Sequence, residues 1–427
     1  MEFAAFIKQN GLEPGQAEFD AWKREFSAEL LRGLRGEKSS LRMIPTYLDA
    51  LSLPPGGESV IVLDAGGTNL RAALMEFTPE GPKPSFFETI PMLGTQGRLT
   101  AEEFYDGLAA LIAPIAERSR RIGFCFSFPC EILPNLDGKI LHFDKEVDIV
   151  GAEGSLLGDG LRRALCSRGL RHDHAVAVIN DTVAAMLGAQ AQLGSGSTYM
   201  GFILGTGTNL CASFPNEMIT KAPMLAGRKG STIINLESGG FDRFTRSAVE
   251  LAFDASTANP GDQCLEKLIS GAYQGPMVLA YLKAAAGEGL FSPAARERVG
   301  ALDQLTAKDV SQFILEPQGD SPLAGILQDT ADRERAGALL DAFFHRAALL
   351  TAATLAAVLD RSGSASCPDA PVRISAEGTT FYRCPLLHRY ILQDMDTFVT
   401  KGCGLYSTFV QAEAPNLTGT ALAALSL

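Results

Sequence analysis

The chain has 427 residues, 46% of them hydrophobic and 20% charged, enough apolar material for two domains with substantial cores and too much for a disordered chain. A formal net charge of -12 leaves no basic excess to neutralise a nucleic-acid backbone, although a local basic pocket for a nucleotide stays open. No continuous apolar run reaches about 18 residues, so no membrane span is expected.

In chain order, the opening M-E-F-A-A-F-I-K lacks the cationic and apolar blocks of a secretory leader. Residues 1 to about 37 predict one docking helix, with Phe19, Trp22, Phe26, Leu30 and Leu31 on a single face. A Pro-Pro-Gly-Gly turn at 54–57 leads into V-I-V-L-D-A-G-G-T-N-L-R at 60–71. Its β-branched residues predict a buried strand ending at Asp64, then a tight turn and a second strand. Further strands are expected near 84–90, 122–127 and 175–179, with helices near 101–116 and 155–168. The strand at 175–179 runs into Asn180-Asp181 and an Ala-rich helix to Leu193. The pattern then restarts about 140 residues on: strand 198–204, Gly205-Thr206-Gly207-Thr208-Asn209, strand 210–214. Residues 263–360 read mostly helical, 372–375 as a strand ending in Glu377-Gly378-Thr379-Thr380, and the polar stretch 414–420 leads into a final short helix.

The chemistry-bearing positions cluster at these strand ends. Gly66 and Gly67 would let a backbone approach a phosphate with its N–H groups inward, Asp64 could reach a Mg²⁺, and Arg71 adds positive charge. The same letters also describe an ordinary Gly-Gly hairpin with an Asp cap. Three strand-terminal Gly/Thr turns in one chain favour the phosphate reading. Asp181 is either the cap of a helix beginning at Thr182 or a general base taking a proton from an alcohol. Glu266 alone reads as an exposed helix residue. With Ser127, Asn209 and Glu237 it supplies the mix of donors and acceptors that a polyol wants. Eight scattered Cys without a C-x-x-C pair predict reduced, mostly buried thiols in a cytoplasmic protein, and the five His form no metal-ligand pattern.

From about Leu41 to the C-terminus these motifs resemble the hexokinases, within the actin-like ATPase superfamily, and specifically a bacterial-type single-unit member. L-D-A-G-G-T-N-L-R and I-L-G-T-G-T-N-L-C resemble the family's two phosphate motifs. G-F-C-F-S-F-P with G-K-I-L-H-F-D-K resembles its sugar signature, and V-I-N-D-T-V-A-A its catalytic-aspartate segment. I-N-L-E-S-G-G-F and N-P-G-D-Q-C-L-E-K-L resemble its two glutamate segments.

The resemblance implies an α/β fold of two actin-like ATPase (ribonuclease H-like) domains, with mixed sheets flanked by helices around a central cleft. The small domain would hold 55–182 plus 413–427 and the large one 1–54 plus 183–412. The implied reaction moves the terminal phosphate of ATP, with Mg²⁺, to the 6-hydroxyl of a hexose such as glucose. Asp181 would be the base and Lys145 would stand near the transferred phosphate. Ser127, Asp144, Lys145, Asn180, Asp181, Asn209, Glu237 and Glu266 would line the sugar. Asp64 would organise Mg²⁺, while Gly66, Gly67, Thr68, Asn69, Arg71, Gly205, Thr206, Gly378, Thr379 and Asn416 would face the nucleotide. Hexose and ATP are the implied partners, with no nucleic acid or membrane, in a monomer or homodimer.

The chain departs from the family pattern in three places. Phe143-Asp144-Lys145-Glu146-Val147 stands for the usual Trp-Thr-Lys-Gly-Phe, Ser238 for a Trp, and the adenosine segment lacks Asp-Gly-Ser. Asp144 and the altered adenosine segment are the support for a rival, a sugar-binding sensor that no longer phosphorylates. The retained Lys145, Asp181, Asp64 and Arg71 speak against it. A second rival is a kinase for an N-acetylated or non-hexose polyol.

Overall fold

This computed structural model describes residues 2–49, 56–143, 147–194, 197–362 and 367–427. Its frame is two mixed sheets of the same topology. In the first, the strands lie in the order Ala175–Ile179, Arg121–Phe126, Ser59–Ala65, Asn69–Thr78, Gly81–Pro91. In the second the order is Ser407–Val410, Val372–Glu377, Tyr199–Leu204, Thr208–Pro215, Ser231–Asn235, with Ile44–Pro45 added at the edge. In each, three successive strands form an antiparallel meander and two later strands extend it in parallel on the other side. The repeat expected from two Gly/Thr turns is therefore a repeat of whole sheets.

The central strand of the first sheet, Ser59–Ala65, is rich in β-branched residues and buried on both faces, as a covered strand must be. One face of the first sheet packs on helices Ala101–Ile112 and Leu157–Ser167. Its other face shares a core with helices Asp181–Leu193 and Pro415–Leu425 and with Tyr199, Cys211 and Ile233 of the second sheet. The helix that leaves the first sheet, Asp181–Leu193, packs on strands of the second, while Pro415–Leu425, which leaves the second sheet, packs on the first. The two helices also pack against each other through small residues: a Cβ at Gly188 would overlap the Pro415 carbonyl, and one at Gly419 the Ala184 carbonyl. No side chain larger than hydrogen fits at either crossing.

The third layer is helical. Helix Thr330–Arg361 is long and apolar enough to cross a membrane by length and composition, and 89% of that window is buried inside the fold. Arg346 on it is buried, pairs with Glu250 at 2.9 Å and lies 5.7 Å over the Trp22 ring. Trp22 belongs to Gln16–Arg35, so the expected docking helix does dock, with Phe19, Trp22, Phe26 and Leu30 buried. The single helix expected over 1–37 is two, Phe3–Gln9 and Gln16–Arg35. Gly11 at φ 63 ends the first, and Pro14-Gly15 precedes the second, whose Glu18 carboxylate accepts from the Gly15 N–H at 2.9 Å.

Candidate active site

The first hairpin ends Ser59–Ala65 at a tight turn closed by Gly66 N–H to the Asn69 carbonyl at 3.0 Å. Asp64 and Arg71 are register partners across it, and the Arg71 guanidinium donates to the Asp64 carboxylate at 2.8 Å. Asp64 is 4% exposed, and burial pushes its carboxyl up, with Arg71 pulling it down and Asp181 adding to the rise. Arg71, expected to reach for phosphates, thus spends at least one N–H on Asp64. Gly66 and Gly67 are not in the left-handed region, and a Cβ at Gly66 would meet only the Asn69 carbonyl at 3.5 Å. Thr68 at the tip is exposed and Asn69 half-buried. The turn is open on its outer side.

Beside Asp64 the next strand delivers Ser127, whose N–H donates to the Ala65 carbonyl at 3.1 Å. One strand further, Ala175–Ile179 delivers Asn180 and Asp181. The helix begins at Asp181 and not at Thr182, and Asn180 is its cap, so the reading of Asp181 as cap is corrected. Asn180 has extended backbone (φ -78, ψ 155) and its Oδ1 accepts from the Thr182 N–H at 2.9 Å. Asp181, one residue on, also accepts from Thr182 N–H, through Oδ1 at 2.8 Å. Burial, then the charges of Asp64 and Asp181, raise the Cys125 thiol well above its usual range, which places both carboxylates around one buried sulfur.

From Asn180 a chain of amides crosses to the second sheet. The Asn209 Nδ2 donates to Asn180 Oδ1 at 3.3 Å and to Asn235 Oδ1 at 2.7 Å, and the Asn235 Nδ2 donates to Glu237 Oε1 at 2.8 Å. Asn209 Oδ1 in turn accepts from the N–H of Leu210 and of Ser238. Every amide is oriented by its neighbours. A recess between the sheets is lined by Thr46, Phe126, Phe128, Asn180, Asn235 and Glu237. Glu237, which lines the recess, and Gln263, whose side chain lies against Gly239, hold left-handed backbone at φ 57 and φ 52, a strain of the kind that collects at functional sites.

Glu266 is not the exposed helix residue that its sequence context suggests. It is half-buried, its Oε2 accepts from the Thr208 N–H at 3.0 Å, and a Cβ at Gly207 would stand 2.5 Å from that oxygen. The second turn, Gly205 to Gly207, is closed by Gly205 N–H to the Gly207 carbonyl at 2.9 Å. Gly205's own carbonyl takes the Gly271 N–H at 2.8 Å and the Thr380 hydroxyl at 2.8 Å. Gly378, at φ 110, abuts Leu204 and Gly205. Thr206 and Thr379 are exposed beside this knot. Asn416 lies in the first turn of Pro415–Leu425, half-buried, and not in a loop: Pro415 at the first helical position starts the helix earlier than the polar stretch suggested.

Asp64, Ser127, Asn180, Asp181, Asn209, Glu237 and Glu266 therefore converge where the two sheets face each other. Asp144 and Lys145 lie outside the described residues. Asn235, at the centre of the amide chain, and Thr46 were missed. Asn235 carried the signal used for Glu237, a polar residue ending an apolar run (I-I-N-L), whereas Thr46 had no signal beyond its place before the first sheet. Among the described residues no group of three or more His, Cys, Asp or Glu is disposed to hold a metal by itself. Mg²⁺ needs only one or two carboxylates when phosphates supply the rest, and Asp64 with Asp181 fits that: their mutual repulsion is what a cation relieves.

Family models described as hexokinase match residues 8–191 and 199–426. Hexokinase-3 of Rattus norvegicus is 30% identical over 446 residues, covering 97% of this chain and 46% of that protein. Hexokinase-5 of Oryza sativa subsp. japonica is 30% identical over 368 residues, covering 80% of this chain and 72% of that protein. The chain spans about half the length of the animal relatives it matches. These relatives are from animals and a plant and lend no support to a bacterial-type assignment. A hexokinase from Schistosoma mansoni complexed with glucose superposes with a TM-score of 0.81 at 21% identity, over 100% of this chain and 99% of that one. With two matching models that together span both sheets and their shared seam, the chain belongs to the hexokinase family.

Proposed function

We propose that the protein is an ATP-dependent hexokinase that transfers the terminal phosphate of ATP to the 6-hydroxyl of a hexose such as glucose. The observation that carries this reading is the amide chain from Asn180 through Asn209 and Asn235 to Glu237, with Asp181 at its end. It spans both sheets and presents donors and acceptors in fixed orientation, as a ring of sugar hydroxyls requires. Ser127, Asn180, Asn209, Glu237 and Glu266 hold hydroxyls in this reading, and Asn235 orients Asn209 and Glu237.

Asp181 takes the proton of the 6-hydroxyl as the oxygen attacks, so that the nucleophile loses its proton to a carboxylate already in place. Lys145 stands near the transferred phosphate, with Asp144 beside it, on the strength of the motif alone. Gly66, Gly67, Thr68, Asn69 and Arg71 face the terminal phosphates; Gly205, Thr206, Gly378, Thr379 and Asn416 face the rest of the nucleotide. Asp64, with Asp181 nearby, would hold Mg²⁺, which supplies charge neutralisation on the phosphates. The division into 55–182 plus 413–427 and 1–54 plus 183–412 lets the cleft close on sugar and exclude water as a competing acceptor. Eight free cysteines, five of them buried, support a cytoplasmic setting.

The test is phosphorylation of glucose, mannose, fructose and N-acetylglucosamine with ATP and Mg²⁺. Turnover of a simple hexose is the expected result. Hexose binding by calorimetry without turnover of any of them would replace the kinase reading by that of a sugar sensor.

A further inference from the structure

Strand Val372–Glu377 ends on a carboxyl group to which the proposed reaction gives no role. Glu377 is half-buried, and its Oε1 is buried with no hydrogen-bond partner among the described residues. It pairs in register with Ile203, two residues before the second turn. The next residue, Gly378, is held so close to that turn that a Cβ would stand 2.6 Å from the Gly205 nitrogen. The backbone of Glu377 is thus fixed at the rim of the second turn, where Thr206 and Thr379 are exposed.

The elements packed against this strand bring few charges. Helix Asp181–Leu193 carries Asp181, strand Tyr199–Leu204 carries Tyr199, and helix Thr379–Arg383 carries Tyr382 and Arg383, while Ser407–Val410 has none. The Tyr382 phenol is pushed up to about 12 by burial and then by Glu377, but its O–H is committed to the Ala376 carbonyl at 2.8 Å. Among the described residues no cation contributes to the state of Glu377: burial pushes its carboxyl up to about 7.

We propose that Glu377 is a nucleotide-affinity determinant that works in its neutral form, donating a hydrogen bond to the bound nucleotide, and that losing its proton weakens nucleotide binding. The inference rests on reading the second turn as part of the nucleotide site. A neutral carboxyl offers an O–H to an oxygen-rich ligand, whereas a carboxylate offers a polyanion only lone pairs. Above neutrality the proton comes from the buffer on binding and returns to it on release.

The test is titration calorimetry of ADP with Mg²⁺ on the full chain, from about pH 6.5 to about pH 8.5, for wild type, E377Q and E377A. The titration of ADP itself is common to all three, so differences between the profiles isolate Glu377. Across that range the wild-type affinity is expected to fall about 25-fold relative to E377Q, because only the protonated fraction of a group titrating at about 7 binds tightly. E377A is expected to be flat like E377Q but weaker, having no donor. Wild type at the alkaline end is expected to take up more protons on binding than E377Q, read from the dependence of the heat on the buffer's ionisation enthalpy. Parallel profiles with equal proton uptake overturn this inference and leave the nucleotide reading standing. ADP binding by none of the three at any pH overturns both.

Discussion

The two hairpins share a motif and a place in their sheets, yet they are built in opposite ways. The first carries a half-buried charge pair, buried Asp64 with partly exposed Arg71, and a turn with space around it. The second carries no charge; its Gly205 carbonyl takes both the Gly271 N–H and the Thr380 hydroxyl, and Glu266 and Gly378 press on it from two sides. One turn is an electrostatic device with open space around it. The other is a rigid template whose shape is fixed by backbone packing before any ligand arrives. The crowding of the second turn is invisible in its own sequence because it is made by residues far away in the chain.

Substitutions can break or sharpen this contrast. The largest effect is expected where neither turn compensates: D181A should lower kcat by about 10²–10⁴-fold with hexose binding retained, read by steady-state kinetics and calorimetry. Next is G378A, because a left-handed backbone and backbone neighbours leave no room to yield. About 3 kcal/mol of lost stability is expected in urea denaturation, and a loss under 1 kcal/mol would show that the second turn is not rigid.

R71M leaves Asp64 buried without its cation, and about 1–2 kcal/mol should be lost near pH 7. This is less than for a fully buried pair, because the Arg71 side chain is 40% exposed. A carboxyl already raised by burial is raised further without Arg71, so the loss should shrink in acid, where Asp64 is protonated. For Glu377 the folded value of about 7 exceeds the ordinary 4.5, so wild-type stability falls as pH rises from 4.5 to about 7 and stays lowered above it. E377Q should therefore gain about 1 kcal/mol over wild type at about pH 8, after discounting for solvent contact, and nothing at about pH 4. Last, G66A should move stability by no more than about 0.5 kcal/mol. A larger loss would mean that the first turn is as tightly set as the second.

Much of this frame was legible in the sequence. Both hairpins, the strand into Asn180-Asp181 and the buried face of Gln16–Arg35 follow from β-branched runs, Gly/Thr turns and helical spacing, all local signals. What escaped depends on partners distant in sequence. Glu266 looks solvent-exposed in its own helix and is claimed by Thr208, 58 residues away. Asn235 is one polar letter in an apolar strand until Asn209 and Glu237 arrive on either side. Arg71 reads as a free cation unless the hairpin register sets it opposite Asp64. The early start of Pro415–Leu425 was hidden by a polar composition that suits a loop and a helix cap equally.

The exchange of closing helices between the sheets means that sequence halves and folding halves differ. Cutting the chain between 191 and 199, where the two matching models part, would leave each fragment with the helix that covers the other's sheet. Each fragment would expose an apolar sheet face and carry an unpartnered helix whose glycines, Gly188 or Gly419, fit one surface only. Such fragments should aggregate when made alone and reassemble when made together. That is the behaviour of interlocked halves, whose cooperativity comes from the exchange itself.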